Sequence, residues 1–198
     1  IDNAWRLGGG GGELVVNYVL TGDNKLILGN AHTKGVVTLT NSGNNFTGGI
    51  DFMGTGVTLD YTSEEAIRNI SLNLSYGNRV AMSDLLSNIT SDSNGILLQR
   101  KADQDLNMTA HQSLFLGSDG NLNYTGKLQL AEGQDYRFSA ANGTLTIAGE
   151  VGGNRNLIID AQGYTGGTVK LEQLNNLNGN VTVMGQDSTK TANIGNIT

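Results

Sequence analysis

The sequence predicts an all-β chain wound into a parallel β-helix, and three observations carry that expectation. The first is an internal echo. Residues 5–28 align without a gap on residues 136–159, at a constant offset of 131. Arg6, Gly12, Leu14, Gly22, Leu26 and Ile27 recur as Arg137, Gly143, Leu145, Gly153, Leu157 and Ile158, and Trp5 recurs as Tyr136. The apolar alternation keeps its phase, with Leu14, Val16, Leu26 and Leu28 falling on Leu145, Ile147, Leu157 and Ile159. A shorter echo follows, FTGGI at 46–50 against YTGGT at 164–168. Repetition on this scale marks a stacked architecture in which each unit buries its apolar edge against its neighbours. The second observation is composition. Among 198 residues, 29 Gly and 24 Asn make up more than a quarter of the chain, and Pro is absent. Gly and Asn tolerate positive φ and so mark sharp turns, and a chain without Pro suits interior strands that need every backbone donor. The third is spacing: alternating segments of four to six residues, separated by two to six residues rich in GN, NN, SN, DG and GG pairs, leave no room for crossover helices.

Taken in order, the strands are expected near Leu14–Leu20, Lys25–Leu28, Val36–Thr40, Ile50–Met53, Val57–Tyr61, Ile70–Leu74, Ile96–Gln99, Leu106–Met108 and Ser113–Leu116. They continue at Leu122–Tyr124, Lys127–Leu130, Tyr136–Ser139, Thr144–Ala148, Leu157–Asp160, Thr168–Leu171 and Val181–Met184. Residues 62–95 are the least regular. Thr62 and Glu65 have the spacing of a capping box ahead of Ala66-Ile67, and Ser83-Asp84-Leu85-Leu86 is able to open another helical turn. Two short helical excursions, a lateral insertion in the coil, or a break between two coil segments fit this region. An antiparallel sandwich is the competing all-β solution. It calls for large aromatic anchors, whereas aromatics are 6% of this chain and its one Trp sits beside a glycine run. The expectation is therefore one β-helix over residues 1–198, of eight to ten coils at roughly 20 residues or more each, with diverged repeats at 5–50 and 136–168. Starting abruptly at Ile1 inside a motif, the chain reads as a fragment of a larger protein.

Charge and cysteine content narrow the function classes. A net charge of −6 and a pI near 4.7 argue against a nucleic-acid partner, because phosphate binding needs a concentrated basic face. With no Cys there is neither a disulfide scaffold nor thiol chemistry. No apolar run approaches the roughly 20 residues of a membrane helix.

The run Gly8–Gly12 lacks the GK[ST] of a phosphate loop, and its counterpart reads SAANG, so a tight corner is expected. His32 and His111 stand far apart and lack a G-x-S-x-G frame; both are expected on solvated turns. Asp51, Asp60, Glu64, Glu65, Asp103 and Asp105, with Arg100 and Lys101, are the candidates for carbohydrate cleavage, since polysaccharide lyases and hydrolases also use parallel β-helices. Asp103 and Asp105 are in addition the candidates for a calcium ion, although the G-G-x-G-x-D array is missing. Asn45, Asn69, Asn73, Asn88, Asn107 and Asn123 begin Asn-x-Ser/Thr triplets, which chance produces in a chain this rich in Asn and Thr.

Residues 36–50, VVTLTNSGNNFTGGI, resemble the strand repeat of passenger regions of autotransporters, the type V secreted surface proteins of Gram-negative bacteria. Leu39, Gly43, Asn44, Phe46, Thr47, Gly48 and Gly49 fill that pattern, and Tyr164, Thr165, Gly166 and Gly167 repeat its end. The resemblance implies a right-handed parallel β-helix displayed at the cell surface as an adhesin or stalk, with a parent anchored in the outer membrane. Implied partners are host cell-surface or matrix components, or the same protein on neighbouring bacteria. It implies no catalytic residue and no cofactor. The expectation is thus a non-enzymatic passenger segment, with a polysaccharide-cleaving β-helix enzyme as the alternative.

Overall fold

The structure is a computed structural model that describes residues 3–30, 32, 34–82, 86–140, 143–164, 167–184 and 193–194. It is all-β, with parallel strands stacked as a β-solenoid of about eight turns and almost no helix. The chain forms two compact units, residues 1–95 and 96–198.

In the first unit β1 (Ala4–Leu7), β2 (Glu13–Val16), β3 (Lys25–Leu28), β4 (Gly35–Leu39), β5 (Ile50–Phe52), β6 (Val57–Tyr61), β7 (Leu72–Asn73) and β8 (Arg79–Met82) follow in order. Odd-numbered strands build one sheet and even-numbered strands another, every pair parallel. Trp5 opposite Leu26, Leu26 opposite Ile50, and Ile50 opposite Leu72 set coils of 21, 24 and 22 residues. Because side chains alternate along a strand, each sheet turns every second residue inward. Leu26, Ile50 and Leu72 stack from one sheet and Val37, Leu59 and Val80 from the other, none more than 2% exposed. Each such side chain contributes roughly 1.5–3 kcal/mol by burial.

Among the described residues helix is confined to two 3₁₀ turns, Glu64–Ala66 and Leu86–Asn88. The cap of the first is Ser63 and not Thr62. Ser63 Oγ accepts from Glu65 N–H at 3.3 Å, while Thr62 N–H continues the strand ladder to the Leu39 carbonyl. A turn of three residues brings the second following amide within reach, which moves the cap one position along. Of the expected Ser83–Leu86 turn, residues 83–85 lie outside the described residues.

The second unit contains β9 (Ile96–Gln99), β10 (Leu106–Asn107), β11 (Phe115–Ser118), β12 (Leu122–Tyr124), β13 (Leu128–Gln129), β14 (Tyr136–Ala140), β15 (Thr144–Gly153), β16 (Leu157–Asp160), β17 (Thr168–Leu177), β18 (Val181–Met184) and β19 (Asn193–Ile194). Its parallel sheets run β9-β11-β14-β16-β18, β12-β15-β17-β19 and β10-β13. Leu97, Leu116, Phe138 and Ile159 form one inward row; Leu145 and Val169, with Ile147 and Leu171, face it. The opposite face of the first sheet is apolar as well. Ile96, Leu98, Phe115 and Tyr164 cluster there with Ile158, so the alternation rule that reads one face of a strand as polar does not hold on β9.

The long echo keeps its strand-to-strand pairing in the two units, though not its place among the sheets. Trp5, Arg6 and Leu7 lie opposite Leu26, Ile27 and Leu28, as Tyr136, Arg137 and Phe138 lie opposite Leu157, Ile158 and Ile159. The short echo does not keep its pairing. Ile50 opens β5 beside β3, whereas Thr168 opens β17 beside β15, the counterpart of β2. The glycine pair marks a corner before a strand, whichever sheet that strand joins.

Candidate functional site

The motif at 36–50 is one side of a coil and the corner that follows it. Leu39 points into the core, and Gly43 N–H donates to Asn41 Oδ1 at 2.8 Å to close the turn. Asn44 is only 6% exposed; its Oδ1 accepts from Leu20 N–H at 2.9 Å and its Nδ2 donates to the Ala66 carbonyl at 3.0 Å. One amide thus ties three successive coils. Phe46 is buried edge-on to Trp5, with centroids 5.6 Å apart. Thr47 N–H donates to the Gly22 carbonyl at 2.8 Å. A Cβ on Gly48 would lie 2.4 Å from the Asn24 carbonyl oxygen, and Gly49 has φ +77°, so each glycine answers a different steric demand. In the shorter copy Tyr164 packs into the outer apolar cluster and Gly167 is half-buried, while Thr165 and Gly166 lie outside the described residues.

The remaining candidates are dispersed. The glycine run closes a turn, Gly12 N–H donating to the Gly9 carbonyl at 2.8 Å, and leads into β2 with no helix whose N-terminus could receive a phosphate. His32 is exposed, its N–H bonded to Asn30 Oδ1 at 2.8 Å. His111 differs from expectation: it is 6% exposed, because Gln134 of the next coil lies over its turn and donates to the His111 and Met108 carbonyls at 3.3 and 3.0 Å. The two histidines belong to different units.

Among the first unit's carboxylates, Asp51 on β5 pairs with Lys25 Nζ at 2.7 Å from one coil to the next. Asp60 sits on β6, in the other sheet, and accepts from Tyr61 N–H. Glu64 and Glu65 occupy the 3₁₀ turn, Glu65 paired with Arg68. In the second unit, Arg100 and Lys101 direct their N–H groups at Gln99 Oε1, at 2.8 and 3.1 Å. Asp105 accepts from Lys127 N–H of the coil above at 2.8 Å, and Asp103 is exposed in the same corner. No group of three or more His, Asp or Glu able to hold a metal forms among the described residues.

Asn78 and Tyr124 are among the buried polar residues that carry no signal in the sequence. Asn78 is fully buried: its Oδ1 accepts from Val57 N–H at 3.1 Å, and its Nδ2 donates to the Gly54 carbonyl at 2.9 Å and to Ser75 Oγ at 2.8 Å. Gly43-Asn44 and Gly77-Asn78 share a dipeptide that reads as a turn marker, yet the amide serves as a bridge between coils. The Tyr124 hydroxyl donates to the Gln104 carbonyl at 2.8 Å. Burial, with the Asp105 carboxylate beside it, raises that phenol well above its ordinary range.

No protein-family model, no curated protein and no solved structure matches this chain.

Proposed function

We propose that the chain is a surface-exposed passenger segment of a bacterial autotransporter, acting as an adhesin or stalk in host-cell attachment or bacterial aggregation. The motif coil at 36–50 carries this reading. Its residues resemble the passenger repeat, and Asn44, Phe46, Gly48 and Gly49 fit this coil to its neighbours through an amide bridge, an aromatic contact and glycine corners. Such a stack is built by nearest-neighbour contacts, so it extends without a change of design and presents its outward positions as a long repetitive surface. Outward positions of this kind are Asn73 and the Lys25–Asp51 pair in the first unit, and Asn107, Asn123, Gln129 and Lys170, all exposed, in the second. Exposed polar positions, with no metal-holding cluster among the described residues, suit contact with host cell-surface or matrix components, or with the same protein on neighbouring bacteria. Its parent is anchored in the outer membrane in this reading, and no cofactor is needed.

The test is display of the 198-residue chain on a Gram-negative host through a translocator barrel, with the barrel alone as control. Expected outcomes are protease-accessible chain at the surface and increased settling of cells or attachment to cultured epithelium, retained when Asp103 and Asp105 are both changed to Asn. Release of reducing ends from a panel of polysaccharides, abolished by those two changes, would replace adhesion with catalysis. Chain that reaches the surface folded and alters neither settling nor attachment would leave the stalk role and remove the adhesive one.

A further inference from the structure

The second unit changes its cross-section partway along, and the step leaves a wedge. β12 lies alongside β15 only as far as Tyr124 opposite Ile147, but β15 continues to Gly153, paired with β17 as far as Leu177. Past Tyr124 the earlier coil turns away through Thr125–Lys127 into β13. That strand pairs with β10 and, among the described residues, with no strand on its other edge. Gly126 permits this turn, since a Cβ there would lie 2.2 Å from the Gln104 carbonyl oxygen. The following coil has no matching corner. A bulge between Ile147 and Glu150 carries β15 straight on, and bulges of this kind often re-aim side chains beside binding sites.

Between the diverging strands lies a cavity of about 360 Å³. This is at the small end of the roughly 300–1,000 Å³ typical of small-molecule sites. Half-buried Leu128, Tyr136 and Gly149 line it, Tyr124, Phe138, Ile147 and Val151, each 5% exposed or less, close it underneath, and Lys127 and Glu150 stand exposed at the rim. The phenols that border it are engaged elsewhere. Tyr124 Oη donates to the Gln104 carbonyl, and Tyr136 Oη meets the Gly152 carbonyl and N–H at 3.3 and 3.4 Å, taking the place of the strand that β15 lacks there. What faces the void is therefore mainly carbon. A sugar ring would bury hydroxyls without partners, which is costly, whereas a flat apolar ring would not.

We propose that this wedge binds one small aromatic ring system, from benzene to indole in size, with its polar substituent directed outward to Lys127 and Glu150. The test is titration of the 198-residue chain with indole and, separately, p-cresol, followed by methyl carbon–proton NMR. Saturable shifts are expected at the Ile147 and Val151 methyls, with a dissociation constant of about 0.1–1 mM, together with intermolecular NOEs from those methyls to the ring. Gly149→Leu, at a bulge position where an added Cβ meets nothing within 4 Å, is expected to fill the opening and weaken binding at least about ten-fold. N-acetylglucosamine is expected to leave these methyls unmoved. The proposal is overturned by absent or non-saturable shifts at Ile147 and Val151, by equal affinity in folded Gly149→Leu, or by preferential response to N-acetylglucosamine. If that variant does not fold, the wild-type NOEs decide alone, and their absence at saturating indole ends the proposal.

Discussion

Tyr124 is the residue whose protonation is most closely tied to the fold. Its phenol is held neutral in the folded chain by burial and by Asp105, whereas in the unfolded chain it ionises near pH 10, its ordinary value. Above about pH 10 the unfolded chain binds fewer protons than the folded one, so stability falls as pH rises. The contribution is complete below that pH and is lost toward the raised folded value, with a slope of up to about 1.4 kcal/mol per pH unit from this group. Tyr124→Phe removes the titration together with the bond to the Gln104 carbonyl, and so starts lower by about 1 kcal/mol at neutral pH. Urea midpoints of wild type and variant are expected to converge between about pH 9.5 and 11.5. A gap that stays constant over that interval would assign the alkaline loss to other tyrosines.

At the scale of elements, the coil is a strand plus a corner, and the corner is where side chains replace the ladder. Asn44 satisfies a donor on the coil before and an acceptor on the coil after, neither of them reachable by solvent once Asn44 is in place. Asn44→Ala leaves the Leu20 N–H and the Ala66 carbonyl without that partner, at about 1–3 kcal/mol each. A loss of about 2–4 kcal/mol is expected in urea unfolding, against less than about 0.5 kcal/mol for exposed Asn73→Ala. Equal, small losses in the two variants would mean that the corner relaxes to pair its own backbone. The same geometry explains what was legible beforehand. Lys25–Leu28, Val57–Tyr61, Leu122–Tyr124 and Leu157–Asp160 begin and end where apolar alternation meets a turn residue, so period and punctuation agreed. β8 was missed because only Val80 of Arg79, Val80 and Ala81 is a strong apolar inward residue, and its Arg79 is buried on the outer face. β15 and β17 run to ten residues because bulges carry β15 through Gly149 and Gly152, positions that read locally as turns. The wedge had no sequence signal at all, since it arises from one corner that the next coil omits.

For the whole molecule, parallel stacking makes stability a matter of neighbours. Within each unit, rows such as Val37–Leu59–Val80 and Leu116–Phe138–Ile159 set an interior side chain between the coils beside it, so a defect should be felt over a short distance and fade beyond it. Leu59 sits between Val37 and Val80, and Phe138 between Leu116 and Ile159, each essentially inaccessible to solvent. Truncation to Ala costs about 3–5 kcal/mol at such a position, through lost transfer energy and the cavity left behind. Native-state hydrogen exchange is expected to show Leu59→Ala speeding exchange of β4 and β8 amides by about 100-fold or more, with a smaller effect on β2. Phe138→Ala is expected to act likewise on β11 and β16, with a smaller effect on β9. A stack with this behaviour can be completed from one end, each finished coil serving as the template for the next, which is what the proposed passenger role would require. If either substitution raised exchange equally in every described strand, the chain would unfold as one cooperative body. The nearest-neighbour account, and coil-by-coil assembly with it, would then be lost.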